Sequence, residues 1–232
     1  MPDRPVPEPA PVKIKICGIT RPSDARGAQA RGATHVGVIR VSESPRCVSV
    51  ETAREIGAAT TLPLVLVSAD VPAVVLGMEA REAEAQVLQL HGDEGEADLG
   101  ALRQLGKWEL WKAIRVGSPE ELLSEAERWN GVADAVLLDG WEDGRLGGTG
   151  TTFDWSALES VRGRWPEGLE LVVAGGLVPD NVGDAVRRLR PHAVDASSGV
   201  ESEPGIKDPE RVEAFIRAAR DAASPDPSPE DD

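Results

Sequence analysis

Residues 169–196 read LELVVAGGLVPDNVGDAVRRLRPHAVDA. Leu169 to Val173 is a short, nearly continuous apolar run, as a strand covered on both faces requires. Ala174-Gly175-Gly176-Leu177 then makes a turn, and Pro179-Asp180-Asn181 opens a helical stretch from Val182 to Leu189. Ala193 to Ala196 is the next apolar run. This strand–helix–strand unit repeats outward along the chain. Further runs lie at Val12 to Ile16, His35 to Ile39, Leu62 to Val67, Ala85 to Leu90, Glu109 to Ile114 and Ala135 to Leu138. Most are too short for a helix, and several are rich in Val and Ile. Eight such runs alternating with helical stretches predict a parallel sheet, either doubly wound or closed, and the count favours a single closed (β/α)8 barrel, the TIM-barrel class of α/β fold.

Helix starts support the alternation. Arg21 to Arg31 carries Pro22 and Ser23 at its head, Ser49 caps the next stretch, Ser118-Pro119-Glu120-Glu121 is a clear start, and Asp208-Pro209-Glu210 opens the last helix, expected to end near Arg220. The third helix should lie between Asp70 and Glu84, but Pro72 and Gly77 interrupt its period.

The 232 residues suffice for one large core, and a barrel of about 250 residues would use nearly all of them. We assign residues 12–220 to the barrel and expect two disordered tails, 1–11 and 221–232, both rich in Pro, Asp and Glu. The net charge of −15 argues against a nucleic-acid binder and against docking on anionic lipid. No run approaches the ~18 apolar residues of a membrane span, and the N-terminus lacks an export signal. Cys17 and Cys47 are too few for a disulfide framework, so a cytoplasmic protein is expected, with one bridge between them left open. A monomer is expected and a homodimer left open. Five lysines stand beside twenty arginines. That composition suits either work in concentrated salt, which screens an acidic surface, or a coding bias towards arginine with an ordinarily acidic surface.

In either parallel architecture, function gathers at the C-terminal ends of the strands. Those ends carry Lys15-Ile16-Cys17-Gly18, then Arg40 to Arg46, Gln89-Leu90-His91-Gly92-Asp93-Glu94, and Lys112. They continue with Leu138-Asp139-Gly140 and Gly147-Gly148-Thr149-Gly150, then Ala174-Gly175-Gly176-Leu177, and finally Ser197-Ser198-Gly199-Val200-Glu201. Cys17 reads as a base or as a small buried hydrophobe; Lys15, two residues earlier on the same strand face, would favour its thiolate. Asp139 reads as a partly desolvated acid or as a turn residue. His91 could orient a substrate or only hydrogen-bond its loop. Arg46 could clamp a carboxylate or be one more surface arginine. Gly175, Gly176, Ser198 and Gly199, after the seventh and eighth runs, could cradle a phosphate with backbone N–H groups, aided by a short helix starting near Ser198. For each glycine alone, a tight turn is the simpler reading. His35 and His192 flank strand starts on the opposite rim and receive no role.

Taken together, these segments resemble the phosphoribosylanthranilate isomerase family of tryptophan biosynthesis. Lys-Ile-Cys-Gly-Ile-Thr at 15–20, Ser-Pro-Arg at 44–46, Gln-Leu-His-Gly-Asp-Glu at 89–94, Gly-Gly-Thr-Gly at 147–150 with Phe153-Asp154-Trp155, Ala-Gly-Gly-Leu at 174–177 with Pro179-Asp180-Asn181-Val182, and Val-Asp-Ala-Ser-Ser-Gly-Val-Glu at 194–201 occur in the family's order. The resemblance implies an Amadori rearrangement of N-(5-phosphoribosyl)anthranilate to 1-(2-carboxyphenylamino)-1-deoxyribulose 5-phosphate, without cofactor or metal. It implies Cys17 as general base and Asp139 as general acid, with Arg46, His91, Lys15, Gly175, Gly176, Ser198 and Gly199 binding the substrate. Arg40 and Cys47 depart from the family's usual residues around the anthranilate pocket, and Arg40 is a candidate to share the role of Arg46. The competing readings are another phosphosugar isomerase or epimerase, and a barrel that binds without turnover. The paired thiol and carboxyl argue against the first, and the intact acid, base and phosphate loops against the second.

Overall fold

Each apolar run is a strand in the computed structural model, which describes residues 11–115, 118–139 and 155–224. The strands are β1 (Lys13–Ile16), β2 (His35–Ile39), β3 (Leu64–Ser68), β4 (Val87–Leu90), β5 (Glu109–Ile114), β6 (Ala135–Leu138), β7 (Glu170–Val173) and β8 (Ala193–Ala196). All neighbouring pairs are parallel, and β8 returns to β1 in the register Lys13↔Ala193 to Ile16↔Ala196. That pairing closes the sheet into a barrel and excludes the doubly wound form.

Side chains alternate across the wall, as strand geometry demands. On β3, Leu64 and Leu66 pack with the helices, while Val65 and Val67 join an inner cluster with Val87, Trp111, Ala135, Leu137 and Val172. Both faces are therefore apolar, which is why the runs show no polar alternation. Trp111 is fully buried in this inner cluster and lies against His35, ring centroids 5.6 Å apart.

Eight α-helices cover the wall among the described residues: α1 (Pro22–Arg31), α2 (Val50–Ala58), α3 (Ala73–Glu82), α4 (Glu96–Leu105), α5 (Pro119–Trp129), α6 (Trp155–Val161), α7 (Pro179–Leu189) and α8 (Pro209–Ala223). Ser49 and Ser118 accept hydrogen bonds from the third residue beyond them, and Asp208 caps Glu210 and Arg211, as the sequence leads one to expect. The last helix runs three residues past Arg220. The third helix does form: Pro72 is its N-cap residue rather than a breaker, and Gly77 lies against Leu105 and Trp108. The expected short helix at Ser198 is a single 3₁₀ turn, Ser198–Val200, followed by a small hairpin of β9 (Glu201–Glu203) and β10 (Ile206–Lys207) that the sequence reading missed. None of the described helices is long and apolar enough to cross a membrane. The Gly147–Gly150 segment, Gly140, Phe153, Asp154 and most of both expected tails lie outside the described residues.

Candidate active site

Cys17, Arg46, His91, Asp139 and the turns after β7 and β8 lie at one mouth of the barrel, because all eight strands point the same way. Cys17 follows β1 and sits on its inner face, two residues beyond Lys15. Gly37 of the neighbouring strand makes room for both: a methyl group there would lie 2.8 Å from Lys15 Cε and 2.9 Å from Cys17 Sγ. Lys15 does not reach the mouth. It is fully buried, and its ammonium is paired at 2.8 Å with Asp195, its register partner on β8. Burial opposes the lysine's charge, but the Asp195 carboxylate and Cys17 more than offset it, so Lys15 holds its proton more tightly than usual. The Cys17 thiol is pushed above its ordinary range by burial, with Asp195 adding to the rise. Lys15 and Lys207 pull against that rise without cancelling it. The expected help from Lys15 is thus present but outweighed. Both cysteines are free; Cys47 is exposed.

Gly18, with φ +68°, turns the chain after the thiol, and a side chain there would collide with Arg46 Cδ at 2.6 Å. Arg46 lies across this glycine and closes on Glu201 with two edges of its fork, Nε at 2.8 Å from Oε1 and Nη2 at 2.6 Å from Oε2. Lys207 donates to the same carboxylate at 2.6 Å and to the Ser197 carbonyl at 3.1 Å. Burial would raise the acid's pKa, but Arg46 and Lys207 together hold it below the usual range. In the sequence Glu201 stands out only within a motif, and no local pattern marks Lys207, which belongs to a two-residue strand. Arg40, the candidate to share Arg46's role, is bound to Glu79 of α3 and to the Val48 carbonyl.

Across the mouth, His91 Nε2 lies 3.1 Å from Asp139 Oδ2, and Gln89 Nε2 lies 3.0 Å from His91 Nδ1. With Gln89 donating to Nδ1, the ring proton sits on Nε2 and points at the Asp139 carboxyl. The loop that presents His91 is tied from below. Lys112 donates to the Gly92 carbonyl (2.6 Å) and to Glu94 (3.0 Å), while Glu94 accepts from the backbone N–H groups of Asp70 (2.8 Å) and Gly92 (2.9 Å). His91, Gly92, Lys112, Arg115 and Asp139 border a cleft of about 250 Å³.

Gly175 and Gly176 both adopt left-handed backbone, and Asn181 fastens the turn by donating to the Gly176 carbonyl. Gly199 packs its Cα against the Leu177 carbonyl, which brings the turns after β7 and β8 together. Their backbone N–H groups at Gly176, Ser198 and Gly199 meet no acceptor among the described residues. Among the described residues there is also no group of three or more His, Cys, Asp or Glu side chains placed to hold a metal ion.

A closed parallel barrel that gathers a buried thiol, a His–Asp pair and a braced arginine around one mouth has the architecture of a (β/α)8-barrel enzyme. The chain matches the family described as N-(5'-phosphoribosyl)anthranilate (PRA) isomerase over residues 14–218, and it belongs to that family. It is 42% identical over 211 residues to the N-(5'-phosphoribosyl)anthranilate isomerase of Pseudomonas aeruginosa strain LESB58, covering 90% of this chain and 95% of the relative. Its fold is similar to that of the dimeric phosphoribosylanthranilate isomerase of Thermotoga maritima, solved as engineered monomers, with TM-score 0.79, 32% identity, and 90% and 99% of the two chains covered. It is similar at TM-score 0.78 and 32% identity, with the same coverage, to an isomerase solved in complex with reduced 1-(o-carboxyphenylamino)-1-deoxyribulose 5-phosphate.

Proposed function

We propose that this enzyme converts N-(5'-phosphoribosyl)anthranilate to 1-(2-carboxyphenylamino)-1-deoxyribulose 5-phosphate in tryptophan biosynthesis, with Asp139 as general acid and Cys17 as general base. Asp139 enters as the carboxylic acid and gives its proton to the furanose ring oxygen. The C1–O bond breaks, and the anthranilate nitrogen lone pair forms a C1=N iminium. That cation acidifies the C2–H bond, and the Cys17 thiolate removes the proton. The electrons of the C–H bond form C1=C2, and those of the C=N bond return to nitrogen. The resulting enolamine ketonises as C1 gains a proton and the C2 hydroxyl loses one. An acid and a base on two sides of one sugar suffice for these transfers.

The observation that carries this reading is the placement of Cys17 after β1 and of the His91–Asp139 pair after β4 and β6 around the same mouth. His91 orients the acid. Arg46, with two edges held by Glu201, offers its remaining N–H groups to the anthranilate carboxylate. The turns at Gly175-Gly176 and Ser198-Gly199 take the phosphate through their unengaged backbone N–H groups. Lys15 acts on the site from beneath Cys17 rather than by touching substrate, since it is fully buried.

The test follows loss of phosphoribosylanthranilate fluorescence with purified protein. Cys17→Ser and Asp139→Asn should each lower kcat by a factor of about 10²–10⁴ while keeping affinity for the reduced product analogue. Near-full turnover in either variant removes that residue from its role. Arg46→Ala should raise KM, and an unchanged KM takes Arg46 out of the pocket.

A further inference from the structure

Cys17 stands among buried charges that the acid–base scheme above leaves without a task. Lys15 approaches from β1, already matched by Asp195 of β8. Lys207 approaches from β10, donating to Glu201 and to the Ser197 carbonyl. Ser197 is adjacent to the thiol in two ways. The residue before it, Ala196, accepts the Cys17 backbone N–H at 2.8 Å, and its own hydroxyl borders Gly18. Arg46 crosses Gly18 and closes on Glu201. Among the described residues, three cations, Lys15, Lys207 and Arg46, therefore face two carboxylates, Asp195 and Glu201. Asp24 accepts the Lys207 backbone N–H, but its charge is matched by Arg21. Among the described residues, the far side of the mouth carries His91 paired with Asp139, Lys112 paired with Glu94, and Asp93 and Arg115.

The cluster around the thiol thus carries one positive charge in excess, and a single thiolate neutralises it. Lys207 and Glu201 have side chains only 3% and 4% exposed, so water screens little of that imbalance. We propose that Lys207 and Glu201 are positioning residues for the ionisation of Cys17: Lys207 supplies the excess charge that favours the thiolate, and Glu201 limits that excess while it holds Arg46. The proposal rests on Cys17 being the reaction's base. Lys207 opposes the rise that burial imposes on the thiol, behind the larger influence of Lys15, while burial lowers the pKa of Lys207 itself against the pull of Glu201 and Cys17.

Titration of the thiolate by its ultraviolet absorbance tests this directly. The chain has no tyrosine, so tyrosinate does not overlap the signal. In a Cys47→Ser background Cys17 is the only thiol, and the Cys17→Ser, Cys47→Ser double variant supplies the baseline. Lys207→Gln should move the midpoint up by about one pH unit or more, Glu201→Gln should move it down by a similar amount, and Lys207→Arg should leave it in place. A packing role for either residue would not produce shifts of opposite sign. The proposal is overturned if Lys207→Gln leaves the midpoint unmoved, or if both neutralising variants shift it in one direction. Should Lys207→Gln fail to fold, the Glu201→Gln arm decides alone, and a midpoint that stays or rises overturns the idea. The two readings fail separately: near-full turnover in Cys17→Ser removes the base but leaves these shifts standing, whereas an unmoved midpoint with Cys17-dependent turnover removes only the charge cluster.

Discussion

His35 shows how a single buried ring can set the acid limit of the fold. It opens β2 at the end of the barrel opposite the site, with Nδ1 2.8 Å from the Thr34 hydroxyl and its ring against Trp111. Burial, with Lys13 and Lys15 nearby, lowers its pKa to about 4. The unfolded chain restores a value of about 6.5, so above that pH both states are neutral and the full stability is present. As pH falls from there towards the folded value, the unfolded chain takes up a proton that the folded chain refuses. Stability should then fall by about 1.4 kcal/mol per pH unit, reaching about 3 kcal/mol near the folded pKa. Carboxylates titrate in the same window, so the comparison that isolates the histidine is urea unfolding of wild type against His35→Asn at several pH values. The wild type should lose more stability than the variant on acidification; parallel curves would show that His35 is not the group responsible. The histidine on the other strand start, His192, is likewise held below its usual pKa, by burial and then by Arg162.

At the scale of elements, the strands were readable because their signal is strong: an inner and an outer apolar face leave no polar break in the run. Their bounds slipped by one or two residues: Leu62 and Ala85 stand ahead of the segments that begin at Leu64 and Val87, Val12 and Leu169 fall one residue early, and β3 runs on to Ser68. α3 was hard to read for a physical reason. Its buried side is the narrow set Leu76, Gly77 and Ala80, whereas Val74, Val75 and Met78 are exposed, so apolar residues do not mark its inner face. Cys17, Asp139, His91 and Arg46 were visible because they end strands or follow them closely. Glu94, Lys112, Asp195, Glu201 and Lys207 had no assigned part, because their importance lies in pairs distant in sequence, as with Lys15 and Asp195. The Glu94–Lys112 pair shows what such a contact does between elements. It binds the end of β5 to the loop after β4, and Glu94 also holds the turn after β3 through Asp70. Glu94→Ala would leave the Lys112 ammonium buried without its counter-charge and free two backbone donors. The expected cost is about 3–5 kcal/mol, read as a drop in the urea midpoint. The same variant should lower kcat beyond any loss of folded protein, because His91 rides on the released loop. Stability within about 1 kcal/mol of wild type would mean that the loop is held by other contacts.

For the whole molecule, the uneven use of lysine separates two kinds of electrostatics. Lys15, Lys112 and Lys207 are buried in ion pairs, Lys13 is half-buried against Glu170, and Lys107 is exposed. In these interior sites the ammonium of Lys112 and that of Lys207 each meet both carbonyl and carboxylate oxygens. The basic surface is therefore almost wholly arginine, set in an excess of carboxylates that leaves the chain at −15. Raising salt from ~0.1 M to ~1 M shortens the screening length from about 10 Å to about 3 Å. Exposed ion pairs such as Arg187–Asp184 weaken under that screening, but each is worth little, and the repulsion among unmatched carboxylates weakens with them. The buried pairs are screened far less. Potassium chloride should accordingly raise Tm, with chloride rather than sulfate used so that solvent exclusion does not mimic the effect. It should also raise kcat/KM, because the anionic phosphoribosylanthranilate must approach an anionic enzyme before it meets the locally positive cluster around Arg46. A Tm that is flat or falls across this range would show that the acidic surface is not limiting stability. A kcat/KM that falls while Tm rises would show instead that attraction at the mouth, and not repulsion by the molecule as a whole, governs the encounter.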